Sequence, residues 1–384
     1  MKAFINAIAA FLPNAPVANP DIEKVLGMVG RRPSAARTHV LKANGIKTRY
    51  YAIDPATGKP THNNAQLTAQ AIRLLAQKTG LDLSRDLKLL ACGTATPDQL
   101  MPAHGSMVHG ELGSPPCEVF TCAGVCCASM AALKYAALAV SAGEAPAAVV
   151  TGSELTSSLM RASHFKPELE EKLRELGKSP HLAFEHDFLR WMLSDGAGAF
   201  LVEGEPRRRT PHPSLQIEWI DYLSFAGEME TCMYHGALKD GARLVGWKEV
   251  EDQSELQRQG FFNMGQDARL LNHSIGRLMG EGLARTVERH RLRPEEIDWL
   301  LPHFSSFYFQ PVLDQRLAEI GFPIPRERCF TNLADKGNTG AASIFIILEE
   351  LVSSGLAREG QRILCFVPES GRFSVSYMLL SVCR

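Results

Sequence analysis

The sequence has almost no excess of either charge: 41 Lys and Arg stand against 42 Asp and Glu, a formal net charge of −1. A nucleic-acid partner is therefore not expected, because its basic footprint would show in the total. No run approaches the ~18–20 apolar residues that a membrane-crossing helix requires. Nine cysteines in 384 residues are too sparse for a disulfide scaffold. The first twelve residues have the outline of a secretory leader, but Asn6 interrupts the apolar run and Pro13-Asn14-Ala15-Pro16 reads as a turn after a strand. With thiols that suit a reducing compartment, the expected location is the cytoplasm. The length suits one large domain or two of about 190 residues, with core enough to fold unaided.

What is present is concentrated. Cys117, Cys122, Cys126 and Cys127 fall within eleven positions. Around them apolar strands alternate with amphipathic helices. Gln66–Gln77 has a helical apolar stripe, Leu87–Ala91 is a short apolar strand, and Ser129–Ser141 is an alanine-rich helix closing on Gly143. Ala147–Thr151 and Gly198–Val202 are further buried strands. This alternation predicts an α/β protein with helices covering a sheet.

A polar, proline-rich stretch at Glu203–Pro213 separates two parts with matching order. Asp86-Leu87-Lys88-Leu89-Leu90 begins 40 positions before Cys126, and Asp298-Trp299-Leu300-Leu301 begins 40 before Asn338. Each then enters a helix of small residues, which predicts an internal duplication. The expected halves are residues 1–205, carrying the cysteine cluster, and residues 206–384.

Three chemistries suit the cluster. The thiols can be small buried hydrophobes, as expected for the isolated Cys92, Cys232, Cys329 and Cys365. A metal site is disfavoured: C-x4-C-x3-C-C is no zinc spacing, and adjacent Cys126 and Cys127 do not easily share a tetrahedral ion. The third is a nucleophile. Gly124-Val125 leads into the alanine-rich helix, and a thiol on its first turn would feel the positive end of the dipole, which lowers its pKa. Backbone N–H groups there would also stabilise an oxyanion. At this level Cys122, Cys126 and Cys127 all remain open.

Six stretches, in order, resemble the β-ketoacyl carrier-protein synthase III group of the thiolase superfamily over nearly the whole chain. They are Gly45-Ile46-Lys47-Thr48-Arg49, Thr94-Ala95-Thr96-Pro97-Asp98-Gln99-Leu100-Met101-Pro102, Gly152-Ser153-Glu154, Asp195-Gly196-Ala197-Gly198-Ala199, Pro302-His303, and Gly337-Asn338-Thr339-Gly340-Ala341-Ala342-Ser343. The resemblance implies a thiolase-like fold: two duplicated halves, each with a mixed sheet, layered α-β-α-β-α. It places the nucleophile six residues before an Ala-Leu pair. Ala132-Leu133 then selects Cys126 over Cys122 and Cys127. It also implies catalytic roles for His303 and Asn338, and an oxyanion donor near Gly371. For Asn338 an N-cap role is compatible with that assignment.

The implied chemistry is covalent and calls for neither cofactor nor metal. Cys126 takes an acyl group from a thioester of an acyl carrier protein or CoA. A second thioester, its carbonyl oxygen bonded by His303 and Asn338, then supplies the carbanion that forms the carbon–carbon bond. A homodimer is implied too. Two departures bear on the substrate. Phe304–Phe309 replaces the usual Asn and basic residue after the histidine, and the glycine-rich loop shrinks to Glu369-Ser370-Gly371-Arg372. With insertions at His181–Met192 and Met229–Trp247, these predict a reshaped acyl pocket. Phe188–Asp195 resembles ketosynthases that build dialkylresorcinols, which join a β-ketoacyl and an acyl thioester and close a cyclohexanedione ring. The alternatives are an initiating synthase using malonyl carrier protein, an acyltransferase to oxygen or nitrogen, and an inactive partner subunit. Arg207–Arg209 and Arg285, Arg289, Arg291 and Arg293 are candidate carrier-docking residues.

Overall fold

The computed structural model describes residues 2–165, 189–207 and 211–383. Most of the His181–Met192 insertion, Phe188, Arg208 and Arg209 lie outside the described residues. Leaving short elements aside, the first part runs β1 (Ala3–Phe11), α1 (Asn64–Thr79), β2 (Leu89–Thr94), α2 (His104–Leu112), β3 (Glu118–Ala123), α3 (Ala128–Ala142), β4 (Ala147–Glu154) and β5 (Gly196–Glu203). The second runs β6 (Ser214–Ser224), α4 (Ala268–His290), β7 (Trp299–Pro302), α5 (Gln310–Glu319), α6 (Ser343–Ser353), β8 (Arg362–Glu369) and β9 (Ser374–Cys383). Between α5 and α6, Cys329 forms a parallel bridge to Leu300 of β7, where β3 stands beside β2 in the first part.

The strands form one mixed sheet in the order β7-β8-β9-β6-β1-β5-β4-β2-β3. From the middle outward both sides repeat one pattern: two antiparallel pairings, then a parallel one. Where two sheets are expected, β1 and β6 pair antiparallel over Ala3–Ile5 and Leu215–Ile217 and fuse the two groups. Each is the edge of its own group, and open edges pair when brought together.

Three apolar clusters define the layers. Leu67, Ala71, Ile72 and Leu75 of α1 pack on Ala199 and Leu201 of β5. Met130 and Leu133 of α3 and Phe345 and Leu348 of α6 fill the middle, against Phe200 on one side and Ile363, Cys365 and Val367 on the other. Leu364 and Phe366 alternate with those three along β8 and face Ile275 and Met279 of α4, as the two-residue strand period dictates. The layers are thus α-β-α-β-α.

Local chemistry sets the element ends. Asn63 and Gln66 form a reciprocal capping box on α1, and the Asp98 carboxylate accepts the N–H groups of Asn64 and Ala65 at 2.7 and 2.9 Å. This starts α1 before its apolar stripe does. β2 runs through Cys92-Gly93 rather than ending there, because α3 crosses directly over it. A Cβ at Gly93 would collide with the Ser129 backbone, and one at Gly152 with the Ala341 carbonyl. Glycine at these two places lets the front ends of both inner helices approach the sheet.

Candidate active site

Cys126 lies in the turn between β3 and α3, two residues ahead of the first helical one. Asn338 stands two residues ahead of the Gly340–Ala342 turn that leads into α6, and His303 follows β7 directly. All three line one cavity, about 850 Å³ including its open mouth. Its deep walls are apolar, built from Leu189, Met192, Met233, Met264, Ile275 and Met279. Met233 comes from the Met229–Trp247 insertion. Such a lining suits an acyl chain, methionine adapting to its shape.

The four clustered thiols do not converge on one ion. Cys122 is half-exposed on β3, which forms an edge of the sheet. Cys127 is fully buried, and its thiol donates to the Val367 carbonyl of β8 at 3.2 Å. Cys117 is partly exposed ahead of β3. Among the described residues Cys126 is the one cysteine that lines the cavity.

His303 is 2% exposed, and its backbone N–H donates to the Phe366 carbonyl at 2.8 Å. Desolvation pushes its pKa down to about 4, so the ring is neutral at pH 7, with one nitrogen protonated as a donor. The Asn338 backbone bonds to Met192 and Ser194 at 3.0 and 2.9 Å. Its Oδ1 accepts the Gly340 N–H at 3.0 Å. Asn338 is not the N-cap itself, a place Thr339 takes; its oxygen holds the turn one residue earlier, which leaves the NH2 end of the amide for a ligand. Gly371 does not line the cavity, although its neighbours Pro368 and Ser370 do. Its carbonyl accepts the Cys232 and Met233 N–H groups.

The expectation of a dipole-lowered Cys126 pKa is corrected. Burial and then the nearby carboxylates of Glu369 and Glu154 push this thiol well above its ordinary value. The residue also stands just before the helix rather than on its first turn. Glu369 occupies the helix end instead, accepting the Cys127 N–H at 3.2 Å.

Glu154 was a sequence landmark rather than a candidate, yet it lines the cavity. It accepts the N–H groups of Ala95 and Ala341 at 3.0 and 3.1 Å and the Thr96 hydroxyl at 2.7 Å. Desolvation pushes its pKa up to about 7. The signal for both carboxylates is that each is the acidic residue closing an apolar strand, AAVVTGSE and RILCFVPE. Other motif residues build support. Asp195 gathers the Ala52 and Ser157 N–H groups and the Thr156 and Ser157 hydroxyls, and buried Arg49 donates to the Trp191 carbonyl at 2.7 Å.

The candidate docking arginines carry less free charge than the sequence suggests. Arg207 pairs with Glu203 at 2.6 Å, Arg289 with Asp221 at 3.4 Å and Arg293 with Glu296 at 2.7 Å.

The family model for the C-terminal part of 3-oxoacyl-[acyl-carrier-protein] synthase III matches residues 287–376, a span that holds His303, Asn338 and Glu369. The β-ketoacyl-[acyl-carrier-protein] synthase III of Streptococcus sanguinis (strain SK36) is 25% identical over 356 residues, covering 93% of this chain and 91% of that protein. AbyA1, a tetronic acid condensing enzyme, shares the fold with a TM-score of 0.77 at 20% identity over 99% of both chains. OleA of Xanthomonas campestris, solved with lauric acid and lauroyl-CoA, does so with a TM-score of 0.73 at 19% identity over 99% of both.

Proposed function

We propose that this chain, a β-ketoacyl-[acyl-carrier-protein] synthase III-like acyltransferase of the thiolase superfamily, takes an acyl group onto Cys126 and joins it to a second thioester held by His303 and Asn338. The observation that carries this is the single cavity: one thiol of nine shares it with both carbonyl-binding side chains. In the first half-reaction the Cys126 sulfur attacks the thioester carbonyl, and the carrier thiol leaves with the proton. The acyl chain then lies along the methionine-rich wall. In the second, the incoming carbonyl oxygen accepts from the neutral His303 ring and the Asn338 NH2, which stabilise the enolate as it forms. Loss of the α-proton from a β-ketoacyl partner, or of CO2 from a malonyl one, forms the enolate; its carbon attacks acyl-Cys126, the new bond forms as the C–S bond breaks, and the departing Cys126 thiolate takes up a proton.

We favour a β-ketoacyl over a malonyl partner, and so a product of the cyclohexanedione or dialkylresorcinol type. A malonyl carboxylate would enter a cavity whose described lining holds Glu154 and no lysine or arginine. Phe304 and Phe309 line the cavity, and the segment between them lacks the usual Asn and basic residue. We read residues 1–205 and 206–384 as duplicated halves on their shared element order, and the nine free thiols suit a reducing cytoplasm. Carrier protein or CoA delivers the substrates. We also read the chain as a homodimer through the open edge of β3. Leu100 and Met101, between β2 and α2, are 74% and 85% exposed, and open edges invite a partner strand.

Incubation with an acyl thioester is expected to add one acyl mass to the Cys126 peptide. An adduct on Cys122 or Cys127, or one that survives Cys126→Ala, overturns the assignment. Supplying the acyl-enzyme with β-ketoacyl or malonyl carrier protein and analysing products by mass decides the second substrate. Light scattering of the same sample reads the oligomer.

A further inference from the structure

β4 and β8 hold equivalent places in the sheet, each between a parallel and an antiparallel neighbour. Each has eight residues and ends on a buried glutamate. The two reach across to each other's half. Glu154 of β4 accepts the Ala341 N–H, three residues past Asn338. Glu369 of β8 accepts the Cys127 N–H, one residue past Cys126, at 3.2 Å. Their surroundings differ. Glu154 also receives Ala95 and Thr96 and faces the cavity. Glu369 stays outside the lining, and its donor belongs to the nucleophile's own turn. Gly371 makes room for it: a Cβ there would lie 3.1 Å from Glu369 Oε1 and from Val125 Cγ2.

A helix N-terminus stabilises whichever anion sits on it. In the usual thiolate argument that anion is the nucleophile; here it is a carboxylate. We propose that Glu369 is a positioning residue for the acyl-accepting thiol: it clamps the Val125–Cys127 turn and, as the anion on the front of α3, sets the proton affinity of Cys126. The titratable groups around that thiol are Cys122 and Cys127 from its own segment, Glu154 from β4, His303 after β7 and Glu369 from β8, with Tyr222 of β6 and Tyr377 of β9 beyond Cys127. Of these, Glu369 is the residue outside the segment whose side chain bonds the turn. Burial raises the Glu369 pKa and the N–H of the turn works against that rise; in its ionised form its charge keeps the Cys126 thiol protonated, which slows alkylation and oxidation, since both act on the thiolate.

This rests on Cys126 as nucleophile, and its test needs no acyl substrate. The full chain is treated with iodoacetamide from pH 6 to 10, and the rate at Cys126 is read by peptide mass mapping. In the unaltered chain the midpoint is expected above the ~8.5 of a free cysteine. Glu369→Gln keeps an acceptor for the turn but removes the charge. It is expected to move the midpoint down by about one unit and raise the rate at pH 7.5 about tenfold. Glu154→Gln, whose carboxylate is held at the Asn338 end, is expected to move it less. An unaltered midpoint at or below that of a free cysteine overturns the proposal. So does a folded Glu369→Gln chain whose profile coincides with the unaltered one. The first result needs no variant, so a substitution that fails to fold does not rescue the idea. If Cys126 never takes an acyl group yet Glu369→Gln shifts the profile, the condensing reading fails and this one stands.

Discussion

The two turns that face each other across the cavity are built alike and used differently. In the first, Cys126 precedes α3 and a carboxylate from the far half takes the Cys127 N–H beside it. In the second, Asn338 precedes α6 and a carboxylate from the opposite half takes the Ala341 N–H. In the proposed reaction the same scaffold thus holds the nucleophile at one end and a carbonyl-binding donor at the other. The side chain at the turn makes the difference: a thiol that can bond covalently, or an amide whose oxygen is tied to Gly340. Two turns of matching build can therefore host unequal chemistry, with function lodged in the site and not the fold.

The sharpest way to break this comparison is to disarm one turn at a time. Asn338→Ala is expected to lower the condensation rate by about 10²–10³-fold, the usual loss for an oxyanion donor, while acylation of Cys126 still proceeds. Cys126→Ala removes both steps. Measuring adduct and product in one sample separates them, and loss of acylation in Asn338→Ala would show that the turns do not divide the work.

A second test concerns charge. His303, with its pKa depressed from 6.5 to about 4, contributes stability present above pH 6.5 and lost as pH falls toward 4. Glu154, raised from 4.5 to about 7, contributes stability present below pH 4.5 and lost as pH rises through 7. Between pH 4.5 and 6.5 unfolding gives a proton to the first and takes one from the second, so the slopes oppose. Glu154→Gln leaves His303 unopposed, and stability should then fall on acidification by about 1.4 kcal/mol per pH unit more than in the unaltered chain. Urea midpoints measured from pH 5 to 7 check this; parallel slopes would contradict it.

The smallest effect is expected beside the nucleophile. Cys127→Ala removes a buried S–H donor to Val367 and should cost about 1 kcal/mol by urea denaturation, with the Cys126 adduct unchanged. An adduct that disappears with Cys127 would mean that the two adjacent thiols had been confused.

Local signals were legible where one residue type carries them. The alanine-rich run closing on Gly143 is α3, and the stripe at Leu67, Ala71 and Leu75 is α1. Strand β2 was misplaced by a few residues because Gly93 is demanded by a helix passing over it, a contact between residues 36 positions apart. Cys126 was singled out by its spacing to Ala132-Leu133. The reason for its selection over Cys127 is spatial: one thiol opens into the cavity while the other bonds to β8.

The sequence by itself showed the alternation of elements and the matching order of the two parts, and its family resemblance pointed to the three side chains on which the proposed chemistry rests. These follow from periodicity, spacing and motif, which act along the chain. Only the tertiary structure decided that β1 and β6 fuse the sheet, that several docking arginines are already paired, and that Cys126 lies beside two carboxylates. Glu369 stands 243 positions from Cys126. A helix dipole can be read from sequence, but the charge that answers it arrives only when the chain has closed on itself.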